Sequence, residues 1–243
     1  MPEPEKKKDE KAEYEYSWRR QNWFDYSAAE HMAVRQKVGM FDMSSFGKIK
    51  LIGRDAEAVL QIIAANDVAV PLGKIVYTQF LNDDGHIEAD VTVTRLGLEE
   101  FLIVTPAATI RRDLHWINGH IPDNAHAIAI DVTVSESVLV VMGPEARSFL
   151  QPMIPQSLAN DDFAFGTMQQ IEIGHAVARV HRVTYVGELG WELYVSADMS
   201  AHVLARLPDG KGPIGCCQNP KRKRIKKRNM NIAGVGRTGL IIA

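Results

Sequence analysis

The chain has 243 residues, 46% of them apolar and 24% charged, with a formal net charge of −2. That length holds one large domain or two modest ones, and an apolar share of this size with four Trp excludes a wholly disordered chain. The longest strictly apolar run, Val138 to Met142, falls far short of the roughly 20 residues a bilayer span needs, and the adjacent Cys216 and Cys217 make neither a disulfide framework nor a four-ligand zinc site.

Residues 1–13 alternate Lys with Glu and Asp and read as a charged, solvated leader. The leader lacks an apolar signal core, so the expected location is cytoplasmic, or the mitochondrial matrix in a eukaryote. A dense aromatic group follows (Tyr14, Tyr16, Trp18, Trp23, Phe24, Tyr26), and its expected role is to pack onto a core. Ser27 with Glu30 three residues on is a capping-box pattern, predicting a helix to about Lys37 that stops at Gly39. A strand follows from Gly47. Asp55 then caps a helix with Ala56, Val59, Leu60 and Ile63 on its inner face.

Two β-rich runs, Ile75–Leu81 and Ile87–Arg95, flank Asn82-Asp83-Asp84-Gly85 and predict a hairpin. Phe101–Val104 adds a third strand. Thr105-Pro106 predicts a helix with Pro at its first position, Ala107, Ile110, Leu114 and Ile117 inward, and Gly119 at its end. Further strands are predicted at 126–132, 137–142, 168–173, 176–183 and 191–195, and short helices at 144–150 and 197–207; no sequence repeat relates the two halves. Sequential strands joined by tight turns imply an α+β fold, with antiparallel sheets and helices packed to one side.

Alternation in the second hairpin strand places Ile87, Ala89, Val91 and Val93 on one face and Glu88, Asp90, Thr92 and Thr94 on the other. The two acids there are either a solvated sheet face or the mouth of a pocket, and spacing alone leaves both open. The segment Tyr185-Val-Gly-Glu-Leu-Gly-Trp-Glu-Leu-Tyr194 has glycines on either side of Glu188 and puts Glu192 next to Trp191. Its glycines permit sharp turns and close approach of a ligand. Tyr185 and Trp191 offer flat faces for a planar heterocycle, and the acids offer acceptors for its N–H groups; the other reading is an ordinary loop–strand junction.

The blocks AVRQKVGMFDMSSFGKIKLIGRDA (33–56), YTQFLNDDGHIEADVTVTR (77–95), VLVVMGPEARSFL (138–150) and RVTYVGELGWELYV (182–195) together resemble the folate-binding aminomethyltransferase family, whose archetype is the T-protein of the glycine cleavage system. The resemblance runs from about Trp23 to Leu207. Glu-Ala-Asp at 88–90, Thr105 where T-proteins carry Asn, and Asn22-Trp23-Phe24 are similar to the C-terminal folate half of dimethylglycine and sarcosine dehydrogenases. That resemblance implies a tetrahydrofolate-dependent module. It would capture, as 5,10-methylenetetrahydrofolate, a one-carbon unit from an iminium made by oxidation of a methylated amine. It also implies an FAD-bearing dehydrogenase domain or subunit as partner, since no flavin-binding region lies in this sequence. By position, Asp90 corresponds to the family's acid beside the reactive folate nitrogens, Glu192 to the acid on the pterin edge, Tyr185 to a ring-packing aromatic and Tyr77 to a further pocket residue; Glu188 is expected to hold the turn. The alternatives are a free-standing T-protein-like aminomethyltransferase or methyltransferase, and an inactive folate-binding or interaction fragment.

Residues 14–207 are therefore expected to form the folate-binding region as two interleaved α+β subdomains, and residues 208–243 a separate basic tail. Residues 211–243 hold nine Lys or Arg and no acid, which leaves residues 1–210 with a net charge of about −11, unsuited to nucleic acid. The tail matches nothing in the family and reads as an out-of-frame or truncated end. Within it, Gly234-Val-Gly236-Arg-Thr-Gly239 has the GxGxxG pattern but no room for the helix and strand that a dinucleotide site needs. Its basic run at 221–228 reads as a solvated or artefactual patch rather than a nucleic-acid or membrane surface. No pattern of His, Cys, Asp and Glu implies a metal; His181 takes an ordinary surface or core role.

Overall fold

The computed structural model describes residues 14–207 together with Ile241 and Ile242. The charged leader, the basic run, the GxGxxG pattern and the cysteine pair lie outside the described residues. Among the described residues, five α-helices and eleven strands follow in chain order: α1 (Phe24–Gln36), β1 (Gly39–Asp42), β2 (Gly47–Ile52), α2 (Ala56–Ile63), β3 (Ile75–Leu81), β4 (Ile87–Arg95), β5 (Glu100–Thr105), α3 (Ile110–Gly119), β6 (Ile128–Asp131), β7 (Glu136–Met142), α4 (Ala146–Leu150), β8 (Thr167–Ile173), β9 (Ala176–Arg182), β10 (Gly190–Ser196), α5 (Ser200–Arg206) and β11 (Ile241–Ile242).

The strands form two antiparallel sheets, one ordered β3-β4-β5-β2-β6 and the other β11-β1-β7-β10-β9-β8. This is the α+β class that the sequence predicts. Each sheet buries its outer face under helices and meets the other across a third core. Strand alternation directs side chains to the two sides. On β7, Leu139 and Val141 enter the outer core with Trp191, Leu193 and Val195 of β10, whereas Val138, Val140 and Met142 enter the middle core with Leu102 and Tyr194. On β5, Phe101 and Ile103 pack outward with α2 residues Val59, Leu60 and Ile63.

Several local expectations change. α1 begins at Phe24, upstream of Ser27, whose amide is bonded to the Trp23 carbonyl at 3.1 Å; Ser27 thus lies within the helix, and no side-chain cap forms. Asp55 does occupy the position before α2, but its Oδ2 accepts the His126 amide at 2.7 Å instead of capping. α3 starts four residues after Pro106, because the Pro106 carbonyl closes a turn with the Thr109 amide at 3.0 Å; Ala107 is therefore exposed rather than inward. The N-terminal aromatics do not enter a core. Tyr14, Tyr16 and Trp23 pack edge to face on one another, with ring centroids 5.0 Å apart for Tyr14–Trp23 and 5.5 Å for Tyr16–Trp23, and Trp18 is fully exposed.

One corner occurs twice. β2 runs into Gly53, Asp55 and α2; β7 runs into Gly143, Glu145 and α4. Gly53 has φ +134° and Gly143 φ +135°, and in both the glycine carbonyl accepts the amide three residues on at 3.0 Å. A Cβ on Gly53 would sit 2.0 Å from the His126 carbonyl oxygen, and one on Gly143 would sit 2.4 Å from that of Lys37. Glycine is required at both by backbone conformation and by close approach of a neighbouring chain segment.

Candidate functional site

A cleft of about 290 Å³ opens between the two sheets, lined on one side by Tyr77, Asp90, Thr92, Val104 and Thr105 and on the other by Val138, His181, Tyr185, Glu192 and Tyr194. Its volume is close to the lower end of small-molecule sites, and its walls mix apolar surface with a few polar groups, as such sites do. Tyr77, Asp90, Tyr185 and Glu192, singled out in the sequence, all line it.

Asp90 is set by the hairpin. The β3–β4 register puts Gln79 opposite Asp90 and Tyr77 opposite Thr92. The Tyr77 hydroxyl donates to Asp90 Oδ2 at 2.8 Å and Gln79 Nε2 donates to Oδ1 at 2.9 Å. The Asp90 carboxylate, by accepting that hydrogen bond, holds the Tyr77 phenol above its ordinary pKa. Asp90 and Tyr77 remain solvent-exposed at the mouth. Glu88 has a different role: its Oε1 accepts from Asn82 Nδ2 at 2.9 Å, which ties it to the hairpin turn rather than the cleft.

Glu192 lies deeper on β10. Alternation points it and Tyr194 into the cleft while Trp191 points the other way. The expectation that Trp191 offers a ring to a ligand is therefore corrected. Trp191 is wholly buried in the outer core near Phe163, with the guanidinium groups of Arg147 and Arg182 at 5.8 and 5.7 Å from its ring. Burial pushes the Glu192 carboxyl above the usual carboxylate range, and the hydrogen bond from the Tyr194 hydroxyl, 2.8 Å long, pulls it back down. The same burial pushes the Tyr194 phenol well above its usual value.

Tyr185 reaches the mouth from the loop before β10, its ring edge-on to Phe46 at 5.8 Å. Glu188 from that loop forms an ion pair with Arg35 of α1 and does not line the cleft. Thr105 donates to the buried carboxylate of Asp113, so one wall of the cleft is pinned to α3.

Among the cleft residues that sequence reasoning missed are His181 and Tyr194. His181 is paired with Glu192 across β9–β10, and its ring lies 4.3 Å from that of Tyr194 at an interplanar angle of 30°. The imidazole is 1% exposed and its Nε2 has no hydrogen-bond partner among the described residues. Burial, with the nearby Arg179 charge, pushes its pKa down to about 3, so it is a neutral ring at physiological pH. A histidine in a β-strand gives no periodic signal. The only available clue was its place four residues before Tyr185.

A partly buried carboxylate beside flat aromatic walls, facing a second carboxylate at an open mouth, suits a planar ligand with N–H groups on its edge. The GCVT N-terminal domain model matches residues 5–217, and the chain belongs to this family. It is 41% identical over 202 residues to 4-methylaminobutanoate oxidase (formaldehyde-forming) of Paenarthrobacter nicotinovorans, covering 83% of this chain and 24% of that one. It is 34% identical over 196 residues to mitochondrial dimethylglycine dehydrogenase of Mus musculus, covering 80% of this chain and 22% of that one. In fold it is similar to the glycine cleavage system aminomethyltransferase T of Bartonella henselae, with a TM-score of 0.64, 22% identity, and coverage of 74% of this chain and 47% of that one. The chain thus spans about a quarter of the two amine-oxidising relatives and about half of the aminomethyltransferase. Among the described residues, no helix is long and apolar enough to cross a membrane and no group of three or more His, Cys, Asp or Glu could hold a metal ion.

Proposed function

We propose that this chain is the tetrahydrofolate-binding, one-carbon-transfer module of an amine-oxidising flavoenzyme, and that it passes an iminium-derived carbon to tetrahydrofolate, giving 5,10-methylenetetrahydrofolate. The observation that carries this reading is that Tyr77 and Asp90 of one sheet, Glu192 of the other and Tyr185 of the loop before β10 line one cleft. The higher identity to two amine-oxidising enzymes supports this branch over a free-standing aminomethyltransferase.

In this reading Glu192 accepts the paired N–H donors of the pterin edge, a two-point contact that fixes the ring's orientation. Tyr185 covers a face of the ring, and the rest of the folate leaves through the open mouth. Asp90 sits where the reacting nitrogens would be. Two C–N bonds form between the folate nitrogens and the iminium carbon, and the bond from that carbon to the amine breaks. Of the two protons released by the folate nitrogens, one leaves on the departing amine and Asp90 takes the other, while its charge stabilises the cationic nitrogen on the way. Oxidation of the amine belongs to an FAD-bearing domain or subunit. The carboxylates and rings fit a reduced pterin, and the buried, unpartnered His181 Nε2 shows that polar capacity beside the cleft is not used up by the fold.

Calorimetry with tetrahydrofolate or its 5-formyl analogue tests the reading. Micromolar binding by the wild-type chain, lost in Glu192→Ala, is expected; no binding by a correctly folded wild-type chain would overturn it.

A further inference from the structure

Glu192 is a poor ligand for N–H donors unless it is charged and held still, since a buried carboxyl tends to keep its proton and a free one rotates. Its surroundings supply little charge to help. Across β9 it faces His181, a neutral ring, and across β7 it faces Val140. The next charged groups, Arg179 of β9 and Glu136 of β7, are paired with each other and so offset one another. Across the cleft the Asp90 carboxylate is engaged by Tyr77 and Gln79. Among the described residues only Tyr194, two residues along the same strand, hydrogen-bonds the Glu192 carboxylate, at 2.8 Å to Oε2. The Tyr194 ring is itself fixed, 3% exposed and stacked on His181 diagonally across the β9–β10 ladder.

We infer that Tyr194 is a positioning residue for Glu192: its hydroxyl takes one lone pair of Oε2 and so fixes the carboxylate plane, leaving Oε1 and the second lone pair of Oε2 for the ligand's paired N–H groups, while the His181 ring locks Tyr194 in that pose. This deepens the folate reading and rests on it for the identity of the ligand. The neutrality of His181 is part of the device. An imidazolium there would compete for the carboxylate, whereas a neutral ring only restrains the phenol.

A titration that needs no ligand gives the test. The full chain is labelled at glutamate Cδ, with the Glu192 resonance assigned by its loss in Glu192→Gln, and followed by carbon NMR against pH. Glu192 is expected to titrate above an ordinary glutamate. In Tyr194→Phe the midpoint should move up by about one further unit, the size of one lost hydrogen bond to a charged group. A midpoint that stays put in Tyr194→Phe overturns the inference.

A second measurement covers the case in which Tyr194→Phe fails to fold. In the wild-type chain labelled at tyrosine Cζ, the Tyr194 carbon should shift at the pH where Glu192 protonates, and no shift there also overturns the inference. Tetrahydrofolate binding then separates this role from a purely structural one. In Tyr194→Phe, affinity should fall about tenfold at pH 7 and its loss on acidification should begin at higher pH; a uniform loss with an unshifted profile means that Tyr194 only packs. If the titrations behave as expected while wild type binds no tetrahydrofolate, the folate reading falls and the positioning role stands.

Discussion

The Tyr77 hydroxyl and the Asp90 carboxylate, thirteen residues apart in the chain, meet across the β3–β4 hairpin at 2.8 Å, and Gln79 from the same strand bonds the other Asp90 oxygen. A carboxylate held from one side in this way presents a fixed negative group to the mouth of the cleft without being buried. Because Asp90 is exposed, changing it should alter chemistry more than stability.

Asp90→Asn is expected to unfold within about 0.5 kcal/mol of wild type and to bind tetrahydrofolate within about tenfold of it. The rate of 5,10-methylenetetrahydrofolate formation, with the iminium supplied by an amine-oxidising flavoenzyme, should drop by about 10²-fold or more. Single-turnover product analysis beside calorimetry separates the two effects. An unchanged rate would remove Asp90 from the proton transfer.

Glu192→Gln keeps the shape of the side chain but replaces one acceptor with a donor and removes the charge. A charge-assisted hydrogen bond is worth about 1.5–3 kcal/mol, so the dissociation constant for tetrahydrofolate should rise about 10–100-fold, with the circular dichroism spectrum unchanged. Equal affinity in the two proteins would show that the pterin edge lies elsewhere.

His181 gives a stability prediction whose sign follows from its burial. In the folded chain it stays neutral down to about pH 3, whereas an unfolded histidine takes up a proton below about 6.5. The unfolded state therefore binds the extra proton, and folding stability falls as pH drops through that window, by up to about 1.4 kcal/mol per unit from this one group. Urea titrations at pH 7, 6 and 5 should show a shallower fall in His181→Phe than in wild type; parallel falls would mean that the imidazole is accessible to protons in the native state.

The repeated corner can be tested against a third glycine of positive φ. Gly85, in the hairpin turn, has φ +77° but open space around its would-be Cβ. Gly85→Ala should cost only the conformational term, about 1–2 kcal/mol. Gly53→Ala and Gly143→Ala add a clash with a backbone carbonyl and should each cost more, with a loss of over about 3 kcal/mol. Thermal denaturation of the three variants ranks them, and a Gly53→Ala chain as stable as Gly85→Ala would show that the corner relaxes.

The elements with strong local patterns were legible in the sequence. Ile75–Leu81 and Ile87–Arg95 are β-rich runs, the second of them alternating apolar with polar residues, on either side of an Asn-Asp-Asp-Gly turn, and they form that hairpin with these bounds. β1 was not legible: Gly39–Asp42 is four residues long and is a strand because it pairs with β7, about a hundred residues downstream. The Ser27 capping pattern failed because residues before it also adopted helical hydrogen bonding. The shared glycine corner was legible but overlooked: Gly53 and Gly143 are each followed by an acid two residues on, Ala three on and Leu-Gln seven and eight on, a match too short to register as a repeat of the two halves. At the site, alternation alone left Asp90 between a solvated face and a pocket. It was family resemblance that set Asp90 and Glu192 apart. Tyr194 and His181 needed three dimensions, since their relationship is a diagonal contact between neighbouring strands.

The two acids stand on separate sheets, Asp90 on β4 and Glu192 on β10, and the filling between those sheets is the small group of Leu102, Val138, Val140 and Met142. Leu102, Val140 and Met142 do not line the cleft, yet with Val138 they act as the spacer that sets the gauge between the two carboxylates. Shaving one of them, as in Leu102→Ala, would let the sheets settle toward each other and detune the cleft from a distance. The calibre of this site is thus written in aliphatic bulk as much as in charge.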